Sequence, residues 1–227
     1  MAAARTRRWL RIFLWALGIV LLAPLLVLAV YRFVPPPGTP LMLIRSAEGE
    51  NLRYRWIPLR AMAPTLPQLV VAAEDNLFCR HWGFDLKALE EQVSSALDGE
   101  ETRGASTISM QVAKNLFLWP GRSFVRKGLE AWLTPYVELM LPKRRILEIY
   151  LNIAEWGPGL YGAEAAAQAH FKVPASRLTP QQASQLAAVL PNPRRWSAAS
   201  PNAYIQGRAQ TYRQRVPQLG AEYLGCW

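Results

Sequence analysis

The chain has 227 residues, 51% of them hydrophobic and 19% charged, which excludes a disordered or collagen-like chain. Eighteen prolines and 14 glycines follow no period, so a repeat architecture is excluded as well. Lys and Arg number 26 against 16 Asp and Glu, a net charge of +10, and this basic balance asks for an anionic partner: nucleic acid, phospholipid head groups or a phosphorylated substrate.

The first element is residues 12–31, IFLWALGIVLLAPLLVLAVY, an uncharged run long enough to span a bilayer core of about 30 Å as a helix. Arg5, Arg7, Arg8 and Arg11 precede it, so residues 1–11 are expected to stay in the cytoplasm as a basic tail and the remainder to lie outside. A cleaved signal peptide has a shorter apolar core of about 7–15 residues, which favours a retained anchor. Without those four arginines the remainder still holds 22 cations against 16 carboxylates, or +6, so the external part is basic in its own right.

Residues 32–65 read as a linker, irregular or β-rich, with LMLIR and LRYRWIPL as strand candidates. From Pro67 the pattern turns helical, with Leu69, Val70, Ala73 and Leu77 on one stripe. Asp85 is placed to cap a helix DLKALEEQVSSAL, and the charged, Gly-containing loop DGEETRGAS after it is the best candidate for a mobile segment. Ser106 or Thr107 opens STISMQVAKNLFL, and Ser123 opens a long amphipathic helix with an interruption at Pro135. Residues 143–153 and 162–171 form two more helices, and Thr179-Pro180-Gln181-Gln182 is a capping-box start for another ending at Pro191. Residues 202–223, with Arg208, Arg213 and Arg215, read as a surface helix. The expected fold class is mainly α, on one N-terminal transmembrane helix.

Three polar clusters stand out. Glu74-Asp75 closes an apolar helix ahead of a glycine turn, and a partly desolvated Glu74 there would have a raised pKa suited to a general base; a solvated helix end fits the same spacing. Gly104-Ala105-Ser106-Thr107 leads into a helix that carries Gln111, Lys114 and Asn115 on one face, either an anion site or an ordinary N-cap. Lys114, Arg122, Arg126 and Lys127 fall within 14 residues around Glu130, a set suited to a pyrophosphate, although Arg126 and Glu130 also suit a simple i,i+4 ion pair. One less solvated carboxylate and one among cations is the pairing glycosyl transfer needs. Cys79 and Cys226 have no zinc-ligand spacing, and whether they pair depends on the fold.

At these clusters the sequence resembles the peptidoglycan glycosyltransferase family. EDNLFCRHWGFD, GASTISMQVAKNLFL, RSFVRKGLEAW, KRRILEIYLNIAEWG and LAAVLPNPRRWSAASP follow the order of its five motifs, over roughly residues 66–201. With no transpeptidase domain after Trp227, the resemblance is to its monofunctional members, the biosynthetic peptidoglycan transglycosylases. It implies a lysozyme-like glycosyltransferase domain at residues 66–227 with a smaller lobe against the membrane. It also implies a periplasmic enzyme anchored in the bacterial inner membrane that polymerises lipid II for cell wall biosynthesis. Glu74 resembles the general base acting on the acceptor 4-hydroxyl, with undecaprenyl pyrophosphate leaving with inversion. Glu130 resembles a second essential carboxylate that positions the pyrophosphate, directly or through a divalent cation (Mg or Mn); no organic cofactor is implied. Lys114, Arg122, Arg126 and Lys127 resemble phosphate contacts, Ser106, Thr107, Gln111 and Asn115 the cleft lining, and Asp75, Phe78, His81 and Gly83 supports of the first motif. The implied partners are lipid II, the growing lipid-linked glycan, the inner membrane, and other cell-wall synthases and division proteins, with no nucleic acid. Met110 stands where the family often has a glutamine, so it lacks one amide. Two other readings differ in what they require: a lysozyme-like glycan hydrolase needs no cation cluster, and a non-catalytic scaffold needs neither Glu74 nor Glu130.

Overall fold

The computed structural model describes residues 2–97, 106–121 and 123–227; Arg122 and the charged loop at 98–105 lie outside the described residues. The chain is mainly α, with one small sheet. Helix α1 (Ala2–Tyr31) contains the apolar run, and its Arg7–Tyr31 part is long and apolar enough to cross a membrane. Its foot is tied to the domain. Leu28 is fully buried, Arg32 donates to the Met140 carbonyl at 2.8 Å, and Arg145 donates to the carbonyls of Tyr31 (2.8 Å) and Val34 (2.9 Å). A helix end leaves carbonyls unpaired and partly negative, and the Arg145 guanidinium meets both demands.

The strand expected at LMLIR is instead helix α2 (Pro40–Ala47). Thr39 accepts from the Met42 N–H and Pro40 occupies the first turn, so an N-cap with a pre-set φ decides against the aliphatic run. In LRYRWIPL only β1 (Arg53–Tyr54) is extended; it pairs in parallel with β3 (Leu160–Tyr161), which pairs antiparallel with β2 (Glu155–Gly157).

Helix α3 (Thr65–Glu74) is followed by α4 (Leu86–Leu97), with Asp85 accepting from the Ala88 N–H as expected. Then come α5 (Ile108–Phe117), α6 (Phe124–Met140), α7 (Lys143–Ile153) and α8 (Ala163–Phe171). The last three are α9 (Pro180–Val189), α10 (Ala203–Arg215) and the short α11 (Ala221–Leu224). The Thr179–Gln182 capping box forms at the start of α9. Residues Ile146 to Ile153 of α7 are almost all buried, and α5 packs on both α6 and α7, while α3, α9 and α10 pack on one another. Pro135 does not interrupt α6, which runs straight through it. The ring removes one backbone bond, and beside the gap the Thr134 hydroxyl donates to the Glu130 carbonyl at 2.7 Å. Helix α10 is the expected surface helix, mostly exposed, with one stripe of Ile205, Ala209 and Tyr212 buried and Arg215 donating to the Ala72 carbonyl in the last turn of α3.

Cys79 and Cys226 are joined as a disulfide across 147 residues of sequence. The bond brings Trp227 to 6.2 Å from the Phe78 ring, and beside it Arg80 contacts Glu222 and Tyr223. Closing so long a loop restricts the unfolded chain, so replacing both cysteines by serine is expected to destabilise the fold by about 2–4 kcal/mol. A thermal scan with an unchanged midpoint would refute this.

Candidate active site

The last turn of α3 presents Glu74, and the chain then leaves the helix at Asp75 (φ −163°). Asp75 is buried and works within the fold: Oδ1 accepts from His81 Nε2 at 2.8 Å, and Oδ2 accepts from the Ile108 N–H at 2.9 Å, an otherwise unpaired donor in the first turn of α5. His81 Nδ1 accepts from the Gly83 N–H, which fixes the imidazole with its proton toward Asp75. Gly83 has φ +90°, and a Cβ there would lie 2.7 Å from the Thr134 side chain, so the turn requires glycine. Phe78 is fully buried, with the Lys143 ammonium 4.6 Å from its ring centroid. The four residues expected to support Glu74 are thus gathered around one turn.

Glu74 is partly exposed. Burial pushes its pKa up, the Gln111 amide hydrogen bond opposes this, and the charges of Arg208 and Lys114 oppose it further. Gln111 Nε2 donates to Glu74 Oε2 at 2.9 Å.

Ser123 caps α6 by accepting from the Arg126 N–H. One turn on, Glu130 is buried between two cations: Arg126 donates to Oε2 at 3.1 Å and Lys127 to Oε1 at 2.7 Å. Lys127 also donates to Ser106 Oγ at 2.6 Å. Lys114, from α5, belongs to the same cluster; burial lowers its pKa, and the Glu130 charge works against that shift. Three cations face one carboxylate, and Arg126 Nε is buried with no partner among the described residues. Such a surplus of donors is built for an anion. It does not fit a divalent cation on Glu130, since both its oxygens are engaged and, among the described residues, no three His, Cys, Asp or Glu side chains converge.

Of the expected polar lining, Gln111, Ser106 and Asn115 are half-buried, Gln111 against Glu74 and Ser106 against Lys127. Thr107 is buried, and its hydroxyl is committed to the fold, donating to the Gly83 carbonyl and accepting from the Met110 N–H. Arg122 lies outside the described residues. Two features were not singled out from sequence. Ser109 and Lys143 both donate to the buried Glu138 carboxylate, joining α5, α6 and α7 beneath the cleft. Arg208 lies over the rings of Trp196, Tyr204 and Tyr212, with both tyrosine hydroxyls as partners. Its signal was the Tyr204-Arg208-Tyr212 spacing, which puts an arginine between two aromatic rings on one helix face.

A partly exposed carboxylate held by an amide therefore lies within electrostatic reach of a cluster of cations on α5 and α6. The family model described as Transglycosylase matches residues 42–216, and the chain belongs to this family, with its mainly α, lysozyme-like domain. It is 52% identical to the biosynthetic peptidoglycan transglycosylase of Ectopseudomonas mendocina, covering 98% of this chain and 93% of that protein. The enzyme of the same name from Caulobacter vibrioides is 51% identical over 90% of each chain, and that from Pseudomonas syringae 52% identical over 96% and 94%.

Proposed function

We propose that this chain is a peptidoglycan glycosyltransferase that polymerises lipid II into linear glycan strands. Glu74 is the general base: it takes the proton of the acceptor GlcNAc 4-hydroxyl as that oxygen attacks the anomeric carbon of the donor MurNAc. The bond to undecaprenyl pyrophosphate breaks as the new glycosidic bond forms, with inversion. Lys114, Arg126 and Lys127 hold the pyrophosphate and balance the charge that grows on it, and Glu130 orients two of those cations. Ser106, Gln111 and Asn115 line the cleft. The observation that carries this reading is the cation cluster around Glu130, with Lys114 close enough to feel the charges of both Glu130 and Glu74; a glycan hydrolase would have no leaving anion for those cations to meet.

The domain is read as periplasmic and the anchor as a single pass through the inner membrane with its N-terminus in the cytoplasm. The arginines in the first turns of α1, ahead of its apolar run, and the disulfide, a bond of oxidising compartments, support that orientation. Phe124 at 98% exposure, with Val125 beside it at the start of α6, suits a surface resting in lipid, which keeps the cleft at head-group height. The purified protein in detergent is expected to turn labelled lipid II into polymer resolved by gel. Binding of lipid II with no polymer would favour a scaffold, and cleavage of preformed glycan a hydrolase.

A further inference from the structure

Tyr150 lies at the centre of α7, 1% exposed, and its hydroxyl meets Gln111 Oε1 at 3.2 Å. Gln111 faces Glu74 with its other end. The two ends of an amide have nearly the same shape but opposite hydrogen-bonding roles. With the Tyr150 proton on Oε1, Nε2 is the end that points at Glu74. Reversing the amide would set a carbonyl oxygen against the carboxylate and leave the buried hydroxyl proton without its acceptor, which costs more than either bond contributes.

We propose that Tyr150 is a positioning residue for the base: acting through Gln111, it locks the amide so that Nε2 holds one oxygen of Glu74 and leaves the other to the acceptor hydroxyl. Among the described residues, Gln111 is the sole hydrogen-bond partner of the Glu74 carboxyl. The inference rests on the reading of Glu74 as base. The charged and titratable groups near Glu74 are Asp75 beside it, Lys114 on α5, Tyr150 on α7, and Arg208, Tyr212 and Arg215 on α10. Helix α9, also packed on α3, has no titratable side chain. None of the others bonds the carboxyl, so the amide is the one contact whose direction a neighbour sets.

Donation by Nε2 favours the ionised carboxylate. Without the Tyr150 hydroxyl the amide is held at one end only, its donation to Glu74 is less well aimed and weaker, and Glu74 requires a higher pH to ionise. The acid limb of the kcat–pH profile for lipid II polymerisation is the readout, because its position does not depend on how much of a preparation is folded. In Tyr150→Phe the limb is expected to move up by about 0.5–1 pH unit, with kcat at neutral pH about three- to ten-fold lower and KM for lipid II within about two-fold. Gln111→Met, close in volume but without the donor, is expected to move the limb the same way. The double variant is expected to move it no further than Gln111→Met alone, since Tyr150 acts through the amide. A limb that stays in place in either single variant, or shifts that add in the double, overturns the proposal. If Glu74→Gln still polymerises, the base reading itself has failed. A dead Glu74→Gln beside an unmoved Tyr150→Phe limb defeats the positioning role alone.

Discussion

Glu74→Gln is expected to abolish polymer formation, lowering the rate by at least about 10²–10⁴-fold, while making the folded protein more stable at neutral pH. The two effects share a cause. Burial raises the Glu74 pKa, so the folded state binds its proton more tightly than the unfolded chain does. Stability therefore falls as pH rises from the ordinary carboxylate range through the raised folded value, and above that value the penalty is complete. Glutamine keeps the shape and removes the penalty. The thermal midpoint of Glu74→Gln should match the wild type at acid pH and exceed it at neutral pH. Turnover has the opposite dependence: the base works only when ionised, so wild-type activity should be lost on the acid side at a pH above the usual carboxylate range. A Glu74→Gln enzyme with wild-type polymerisation would end the assignment. One that is inactive but also less stable at neutral pH would show that the carboxylate serves the fold rather than the reaction.

How far the sequence determined this arrangement depends on the distance over which each signal acts. Caps are local, so Asp85, Ser123 and Thr179 could be placed from a few residues each, and the cap of α5 narrowed to Ser106 or Thr107, of which Thr107 serves. LMLIR was misread because its aliphatic side chains suit a strand, while Thr39-Pro40 fixes the backbone for a helix. Pro135 was misread because the ring costs α6 only one backbone bond, while Leu133, Thr134, Val137 and Glu138 on either side of it are buried, and periodicity does not weigh that packing. The cluster of Lys114, Arg126, Lys127 and Glu130 was legible because two adjacent helices carry it within a short stretch. The contacts that complete the cleft span longer separations: Gln111 to Glu74, Tyr150 to Gln111, and Cys79 to Cys226. Tyr150 is a core residue by its burial, and only the packing of α7 on α5 sets its hydroxyl against Gln111.

The second large effect is expected at Lys114. Lys114→Met should lower kcat/KM for lipid II by about 10²–10³-fold, the range for losing one preorganised charge stabiliser. The reason lies in what Lys114 lacks before substrate arrives. Arg126 and Lys127 each have a carboxylate oxygen of Glu130, whereas Lys114 has no hydrogen-bonded partner among the described residues, and burial depresses its pKa. A pyrophosphate beside it would favour the ammonium form and raise its pKa again, and the developing charge on the leaving group would strengthen that contact as the bond breaks. The loss should therefore fall on kcat as well as on KM. The wild type should lose activity on the alkaline side at a pH below the ordinary lysine range. Stability follows the reverse sign of the Glu74 case: with the folded pKa depressed, the buried ammonium is a penalty below that value, relieved as pH rises toward the unfolded one. Lys114→Met should accordingly be more stable than the wild type at neutral pH and no more stable at alkaline pH. Lys114→Arg would keep the charge but bring a rigid planar fork where a compact ammonium stands, and is expected to recover only part of the rate. A Lys114→Met enzyme that elongates glycan at the wild-type rate would remove Lys114 from the leaving-group site.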